Sequence, residues 1–170
     1  MTSPNETLRD LIERPVLNDP FVIVLPKAAE GTVDEMIDAT SNLKFLRYSS
    51  SLFISKQIDL HLRRLGFPVN YQFECSNNQT LMAMVASGKG WTISTPLLFS
   101  RAKRFHSRLM LAPFPRKSFS RTLSMLQTPD CSHSIAELFA DQLRRLISEQ
   151  IIAPMHRQAP WLTDHFHLLD

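Results

Sequence analysis

Residues 69–97, VNYQFECSNNQTLMAMVASGKGWTISTPL, write out a strand, a helix, a glycine stop and a second strand with almost no residue to spare. Tyr71, Phe73 and Cys75 alternate with Asn70, Gln72 and Glu74, the two-residue period of a strand with one face turned inward. The period then changes. Leu81, Met82, Met84 and Val85 recur at helical spacing, and small Ala83, Ala86 and Ser87 fill the rest of the turn, so a largely buried helix is expected. Ser76, Asn77 and Asn78 at its entry carry short polar side chains that can accept from the first-turn N–H groups. Gly88-Lys89-Gly90 ends it with a left-handed cap. Trp91 to Thr95 is the second strand, and Thr95-Pro96 reads as N-cap and first position of a short helix through Leu97, Leu98 and Phe99.

Two strands joined by a helix of about ten residues lie parallel, with a right-handed crossover. In such a unit, helix starts and strand ends open on one edge of the sheet, where anions and small polar ligands bind. The entry at Ser76, Asn77 and Asn78 therefore has two readings, a cap alone or a cap that also meets a ligand, and the stretch itself does not choose between them.

Upstream, Met1 to Asn18 is a polar lead-in with a short strand or turn around Ile12 to Leu17. The apolar run Phe21 to Leu25, FVIVL, suits a strand covered on both faces. Thr32 and Glu35 form a capping box for a short helix from Val33 to Ala39. Phe45 to Tyr48 is a strand that runs into Ser49-Ser50-Ser51, and one of these serines is expected to cap the following helix. That helix, Leu52 to Leu65, sets Ile54, Ile58, Leu62 and Leu65 on one stripe and Lys56, Asp59, Arg63 and Arg64 outside it; Gly66 stops it and Pro68 prevents its resumption. The serines, too, read either as a cap or as hydroxyls and N–H groups aimed at a ligand.

Downstream, a basic, partly helical link, SRAKRFHSR, leads to a strand at Leu109 to Ala112, and PFPRK breaks regular structure. Ser120 to Gln127 alternates as a strand. Ser132 or Ser134 caps a last helix with Ile135, Leu138, Phe139, Leu143, Leu146, Ile147 and Ile151 as its apolar face; Pro154 ends it and a loosely held tail follows. The order of elements argues for an α/β fold.

The chain has 170 residues, of which 44% are hydrophobic and 21% charged, the make-up of an ordinary globular domain or two small lobes. A net charge of +3 comes from scattered lysines and arginines without aromatic interleaving, which does not favour nucleic-acid binding by these residues. No apolar run approaches the ~18 residues that span a bilayer, and MTSPNETLRD has no signal-peptide core, so a cytoplasmic protein is expected. Cys75 and Cys131 lack metal or redox spacing and read as structural thiols. His165 and His167 lack further ligands at their spacing, so no metal site and no cofactor are assigned.

With these residues in place, RYSSSLFISKQIDLHLRRLGF (47–67) and TLMAMVASGKGWTISTPLLF (80–99) resemble the effector-binding domain of LysR-type transcriptional regulators. The likeness spans roughly Glu13 to Ile151, carried by the serine cluster after a strand together with the V-A-x-G-x-G-W-x-I-x-T-P block. Members of that family are DNA-binding regulators with an N-terminal winged helix-turn-helix, a linker helix and a sensor built like a type II periplasmic binding protein. Two α/β lobes joined by crossing strands hold a small effector, often an organic acid or amino-acid derivative. The resemblance implies a fragment-like sensor: residues 1–20 as a remnant of the first lobe, 21–106 as a complete second lobe, 107–152 as the return crossing with the final strand and helix of an incomplete first lobe, and 153–170 as a tail. The winged helix-turn-helix is expected to be absent, so DNA would be reached only through another chain.

The resemblance further places Ser49, Ser50, Ser51, Ser76, Asn77, Asn78 and Thr95 on the second lobe's side of a cleft for a small anionic metabolite, with the opposing wall outside the chain. Leu138 to Ile151 would then lack its usual cover, so homo- or hetero-oligomers are expected. Three functions follow: a sensor whose effector alters regulator assembly, a ligand-free interaction domain acting through mixed oligomers, and an enzyme on the same fold. The last finds no catalytic residues, since no nucleophile-base pair, paired carboxylates or metal spacing lies near the serines.

Overall fold

The computed structural model describes residues 11–38, 41–67 and 71–169. Ala39 and Pro68, the expected end of the first helix and the expected stop after the second, lie outside them. The chain forms two compact units, one of residues 20–119 and one of residues up to 19 with 120 onward.

In the 20–119 unit five strands hydrogen-bond in the order β4-β3-β5-β2-β6: β2 Val22–Pro26, β3 Lys44–Tyr48, β4 Tyr71–Cys75, β5 Gly90–Ser94 and β6 Leu109–Pro113. The strands either side of β3, namely β4 and β5, run parallel to it, so β4 and β5 are parallel to each other with β3 between them. Antiparallel to both its neighbours, β2 lies between β5 and β6, and Val22 to Pro26 is buried throughout, as a strand covered on both faces must be. Helices α1 Val33–Ile37, α2 Phe53–Arg64, α3 Asn78–Ala86 and α4 Pro96–Ser100 complete the unit. The Thr32–Glu35 capping box forms at α1 with both reciprocal bonds present.

The glycine pair of the V-A-x-G-x-G block does two different jobs. Gly88 has φ +78, the left-handed cap that releases the chain from α3. Gly90 lies opposite Lys44, where an added Cβ would fall 2.0 Å from the Lys44 carbonyl oxygen, so only glycine lets β5 approach β3 there. One residue on, Trp91 packs across the strands against Phe45, the rings tilted by 39° with centroids 4.7 Å apart. Leu46, Leu81, Met82, Val85 and Ile93 close the core, each Leu or Ile contributing about 1.5–3 kcal/mol by burial.

Two expectations need correction in this unit. Phe73 is 52% exposed although Cys75, two residues on, is buried; β4 is the edge strand of its sheet. No serine side chain caps α2; its N-cap is Leu52, without a side-chain cap bond, and the turn before it closes by Leu52 N–H donating to the Ser49 carbonyl at 2.9 Å.

Others lie in the second unit, where β1 Ile12–Pro20, β7 Ser120–Gln127 and β8 His167–Leu168 form a sheet ordered β7-β1-β8. Helix α5, His133–Ile147, starts at Ser132, again without a side-chain cap bond. Pro154 does not end the helical run. A π-type stretch at Ser148–Ile152 widens the turn ahead of it and α6, Ala153–Gln158, continues, because the wider turn absorbs the ring and the missing N–H. The residues read as a loose tail are packed instead. Met155, Leu162 and Phe166 are buried, and Leu168 and His167 pair with Leu17 and Asn18 of β1. Asp19, fully buried, receives Arg121 Nη2 at 2.9 Å and Nε at 3.0 Å. Arg14 on β1 pairs with Glu137 on α5 and holds that carboxyl below the usual range.

Candidate functional site

Each parallel strand of the 20–119 unit feeds a helix at its C-terminal end: β3 leads into α2, β4 into α3 and β5 into α4. Parallel strands share the edge on which they end, so the three helix starts gather on one rim of the sheet. Ser49, Ser50 and Ser51, then Ser76, Asn77 and Asn78, then Thr95, occupy those three junctions.

Hydrogen bonds tie the junctions together. Ser49 N–H donates to the Cys75 carbonyl at 2.9 Å, prolonging the β3–β4 ladder past Tyr48. The Tyr48 hydroxyl, buried, donates to Asn78 Oδ1 at 2.7 Å and lies 2.7 Å from Ser94 Oγ. Asn78 Nδ2 in turn donates to the Leu98 carbonyl at 2.9 Å, joining α3 to α4. One tyrosine hydroxyl thus links β3, β5 and α3.

The seven candidate residues differ in what remains available to a ligand. Thr95 is 0% exposed, and its hydroxyl accepts from Leu98 N–H at 3.4 Å as the cap of α4. Asn78 uses both ends of its amide within the protein, one to Tyr48 and the other to Leu98. Asn77 is exposed, but its Oδ1 caps α3 by accepting from Gln79 N–H at 2.7 Å and Thr80 N–H at 3.2 Å. Ser50, Ser51 and Ser76 are exposed and Ser49 half-buried, with Ser49 Oγ 3.1 Å from Ser51 Oγ. Surface-facing polar groups therefore come from the α2 and α3 junctions, while Asn78 and Thr95 brace them from within.

A charge cluster adjoins the serine turn. Arg47 of β3, with its side chain 10% exposed, puts Nη2 2.6 Å from Asp59 Oδ2 of α2 and donates to Ser55 Oγ at 2.7 Å. Its Nε is 3.6 Å from Glu74 Oε1 on the neighbouring strand. Glu74 Oε2 accepts from Ser50 N–H at 3.4 Å. Sequence reading missed Tyr48, Arg47, Glu74 and Ser94. The signal for Arg47 was its place in the otherwise apolar strand Phe45-Leu46-Arg47-Tyr48, where a buried guanidinium requires counter-charges.

Cys75, beside Ser76, is buried; its Sγ donates to Met84 Sδ at 3.4 Å, and burial raises the thiol above its ordinary value. That disfavours the reactive thiolate. A hollow of about 310 Å³ lined by Phe45, Arg47, Asp59, Leu62, Arg63, Gly66 and Phe67 opens beside the C-terminal turns of α2 and takes in none of the seven candidate residues. Among the described residues, no group of three or more His, Cys, Asp or Glu side chains is placed to hold a metal, and no helix is long and apolar enough to cross a membrane.

The sequence matches the family profile described as LysR substrate binding domain over residues 1–148. The chain belongs to the LysR substrate-binding domain family. Its mixed α/β architecture is the type II periplasmic-binding-protein-like fold of LysR regulatory domains. No curated protein matches the chain. Among solved structures, full-length HypT of Salmonella typhimurium, a hypochlorite-specific LysR-type transcriptional regulator, is similar with a TM-score of 0.61 and 16% identity, covering 85% of this chain and 49% of that one. The CcmR regulatory domain of Synechocystis PCC6803 in complex with 2-PG gives 0.63 and 16%, covering 87% and 71%. The effector-binding domain of QuiR in complex with shikimate gives 0.58 and 12%, covering 84% and 66%. The LysR chain thus spans about half the length of full-length HypT.

Proposed function

We propose that the chain is the effector-sensing part of a LysR-type transcriptional regulator, and that a small anionic metabolite binds at the rim where α2 and α3 begin. The observation that carries this reading is the convergence of exposed Ser50, Ser51, Ser76 and Asn77 on the C-terminal edge of three parallel strands, in a chain of this family. Helix starts present N–H donors and positive partial charge to an anion. The relatives support the class of ligand, since CcmR was solved with 2-PG and QuiR with shikimate, a carboxylate. Ser49, Ser50, Ser51, Ser76 and Asn77 contact the ligand in this reading; Asn78 and Thr95 hold the rim in shape. Binding acts on transcription by favouring one assembly of the regulator over another, which requires a difference in affinity between the two.

The test is a thermal-shift screen of carboxylates, phosphate esters and amino acids on the intact chain and on a Ser49→Ala/Ser51→Ala/Ser76→Ala variant. A ligand at a hundred times its Kd stabilises the native state by about 2.7 kcal/mol, an easily read rise in Tm. The reading is refuted if a ligand raises Tm equally in both proteins.

A second reading, association of the chain with a second copy of itself, is favoured by the face of α5. Ile135, Leu138 and Phe139 are each more than 60% exposed, and they adjoin a hollow of about 350 Å³ lined by Met125, Leu126, Cys131 and Ala136. We infer that this face is covered by self-association, in keeping with the oligomeric habit of LysR regulatory domains. Sedimentation velocity at micromolar concentration should show a dimer or larger species that Phe139→Glu returns to monomer. A monomer before the substitution, or capture of a longer relative in mixed assemblies only, counts against it.

A further inference from the structure

The serine turn already holds a carboxylate of the protein's own. Glu74 accepts from Ser50 N–H through Oε2 at 3.4 Å and faces Arg47 Nε through Oε1 at 3.6 Å. Both distances are long, and its side chain is 34% exposed, so the group is loosely held. Arg47 is not short of a partner without it. Asp59 sits at 2.6 Å in a better position on the same guanidinium, and Ser55 accepts from it at 2.7 Å. The Arg47 guanidinium is therefore shared between two carboxylates, of which Asp59 is the nearer. The N–H that Glu74 meets belongs to the turn that feeds α2, a helix whose N-cap Leu52 supplies no side-chain acceptor.

We propose that Glu74 is a tethered competitor for the anion site at Ser49–Ser51: it occupies the Ser50 donor in the absence of effector, must be displaced by it, and so sets the concentration at which the sensor responds. This rests on the reading of the rim given above and adds its regulation. An incoming carboxylate or phosphate takes the Ser50 N–H and the serine hydroxyls, and Glu74 swings outward, still within reach of Arg47. Displacement costs little because the bonds that Glu74 gives up are long and partly solvated. The larger effect is repulsion between the two anions. At about 5 Å in a partly exposed setting, that repulsion lowers affinity on the order of tenfold, and salt screens it.

Phosphate and shikimate are the probes, titrated by NMR into the intact chain, into Glu74→Gln, and into Glu74→Gln carrying Ser49→Ala and Ser51→Ala, at 50 and 300 mM salt. Glu74→Gln keeps the shape and the acceptor while removing the charge. The expected result is an apparent Kd about tenfold lower in Glu74→Gln at low salt, an advantage that shrinks at high salt and is largely abolished without the serine hydroxyls. Before any anion is added, the Ser50 amide resonance should also move in Glu74→Ala, which removes the acceptor altogether and so tests the internal hydrogen bond by itself. Serine-dependent binding that is unchanged or weaker in Glu74→Gln overturns the competitor and leaves the site standing. Absence of binding to all three proteins, or binding indifferent to the serines, overturns the anion site and the competitor with it. A Ser50 amide that does not move shows that Glu74 never occupied the turn.

Discussion

Replacing Tyr48 with phenylalanine removes a single oxygen from the centre of the rim. Tyr48 donates to Asn78 Oδ1 at 2.7 Å, so the proton between it and Ser94, also 2.7 Å away, must come from the serine. The chain of donors runs from Ser94 through Tyr48 to Asn78, and such chains strengthen each member. Ser94 is fully buried and water cannot replace its missing partner, whereas Asn78 is half-buried and recovers part of its loss from solvent. Stranding one buried polar group costs about 1–3 kcal/mol, so Tyr48→Phe should destabilise by about 2 kcal/mol. Ser94→Ala leaves Tyr48 donating to Asn78 and should cost about 1 kcal/mol. The double variant removes both partners of the buried pair and should cost no more than Tyr48→Phe alone, a coupling energy of about 1 kcal/mol. Urea unfolding of the four proteins measures this through shifts in midpoint at constant slope. If the two single costs add to within about 0.3 kcal/mol, or Tyr48→Phe is neutral, the three elements are not joined through this hydroxyl.

Asn77→Ala should cost about 1 kcal/mol in the same unfolding assay and Asn77→Asp almost nothing, because the aspartate still accepts from the Gln79 and Thr80 N–H groups. Gly90→Ala should destabilise by about 3 kcal/mol or more, since its Cβ would fall on the Lys44 carbonyl and force β5 from β3; wild-type-like stability would show that the strands yield freely. The Glu35 carboxyl is held below its ordinary value by the Thr32 backbone N–H first and by the Thr32 side chain second. A depressed folded value means that the capping box contributes fully above the ordinary carboxylate pKa and loses its contribution as pH falls through the folded one. Amide exchange across Val33–Ile37 should therefore quicken, relative to other helices, on acidification into that range and be insensitive to pH there in Glu35→Gln.

How far the fold could be read from the residues depended on whether one local rule governed each segment. The stretch from β4 to α4 was legible because period, cap and glycine agree at each step: Asn77 caps, Gly88 adopts positive φ and Thr95 caps before Pro96. Ser120 to Gln127 was legible as a strand from its alternation alone. Legibility failed where tertiary context overrules a local preference. Three serines before α2 suggested a side-chain cap, yet the backbone turn closed by Leu52 and Ser49 places Leu52 at the N-cap. Pro154 suggested a helix end, yet burial of Met155, Leu162 and Phe166 holds the chain in a continued helix and a returning strand. Phe73 has the alternation of an inward residue and lies on an edge, a fact that only strand order reveals.

The candidate site was legible as a set of residue types and not as a division of labour. Ser, Asn and Thr at helix entries satisfy the same sequence pattern whether the side chain faces a ligand, caps its own helix or bridges to the next element. What separates them is the neighbour across the sheet. Asn78 is committed because it meets Tyr48 on the adjoining strand and Leu98 on the following helix; Thr95 is committed because the central strand it follows is buried throughout. Ser50 and Asn77 remain at the surface because the strands they follow, β3 and β4, lie at or next to a sheet edge. The exposed donors that result are neutral hydroxyls and backbone N–H groups, and the formal charge that touches the Ser50 N–H is the negative one of Glu74. If an anion binds this rim as proposed, its oxygen atoms would have to meet the hydroxyl and N–H donors closely, because beyond the partial charge of the helix starts the formal charge already at the turn opposes it.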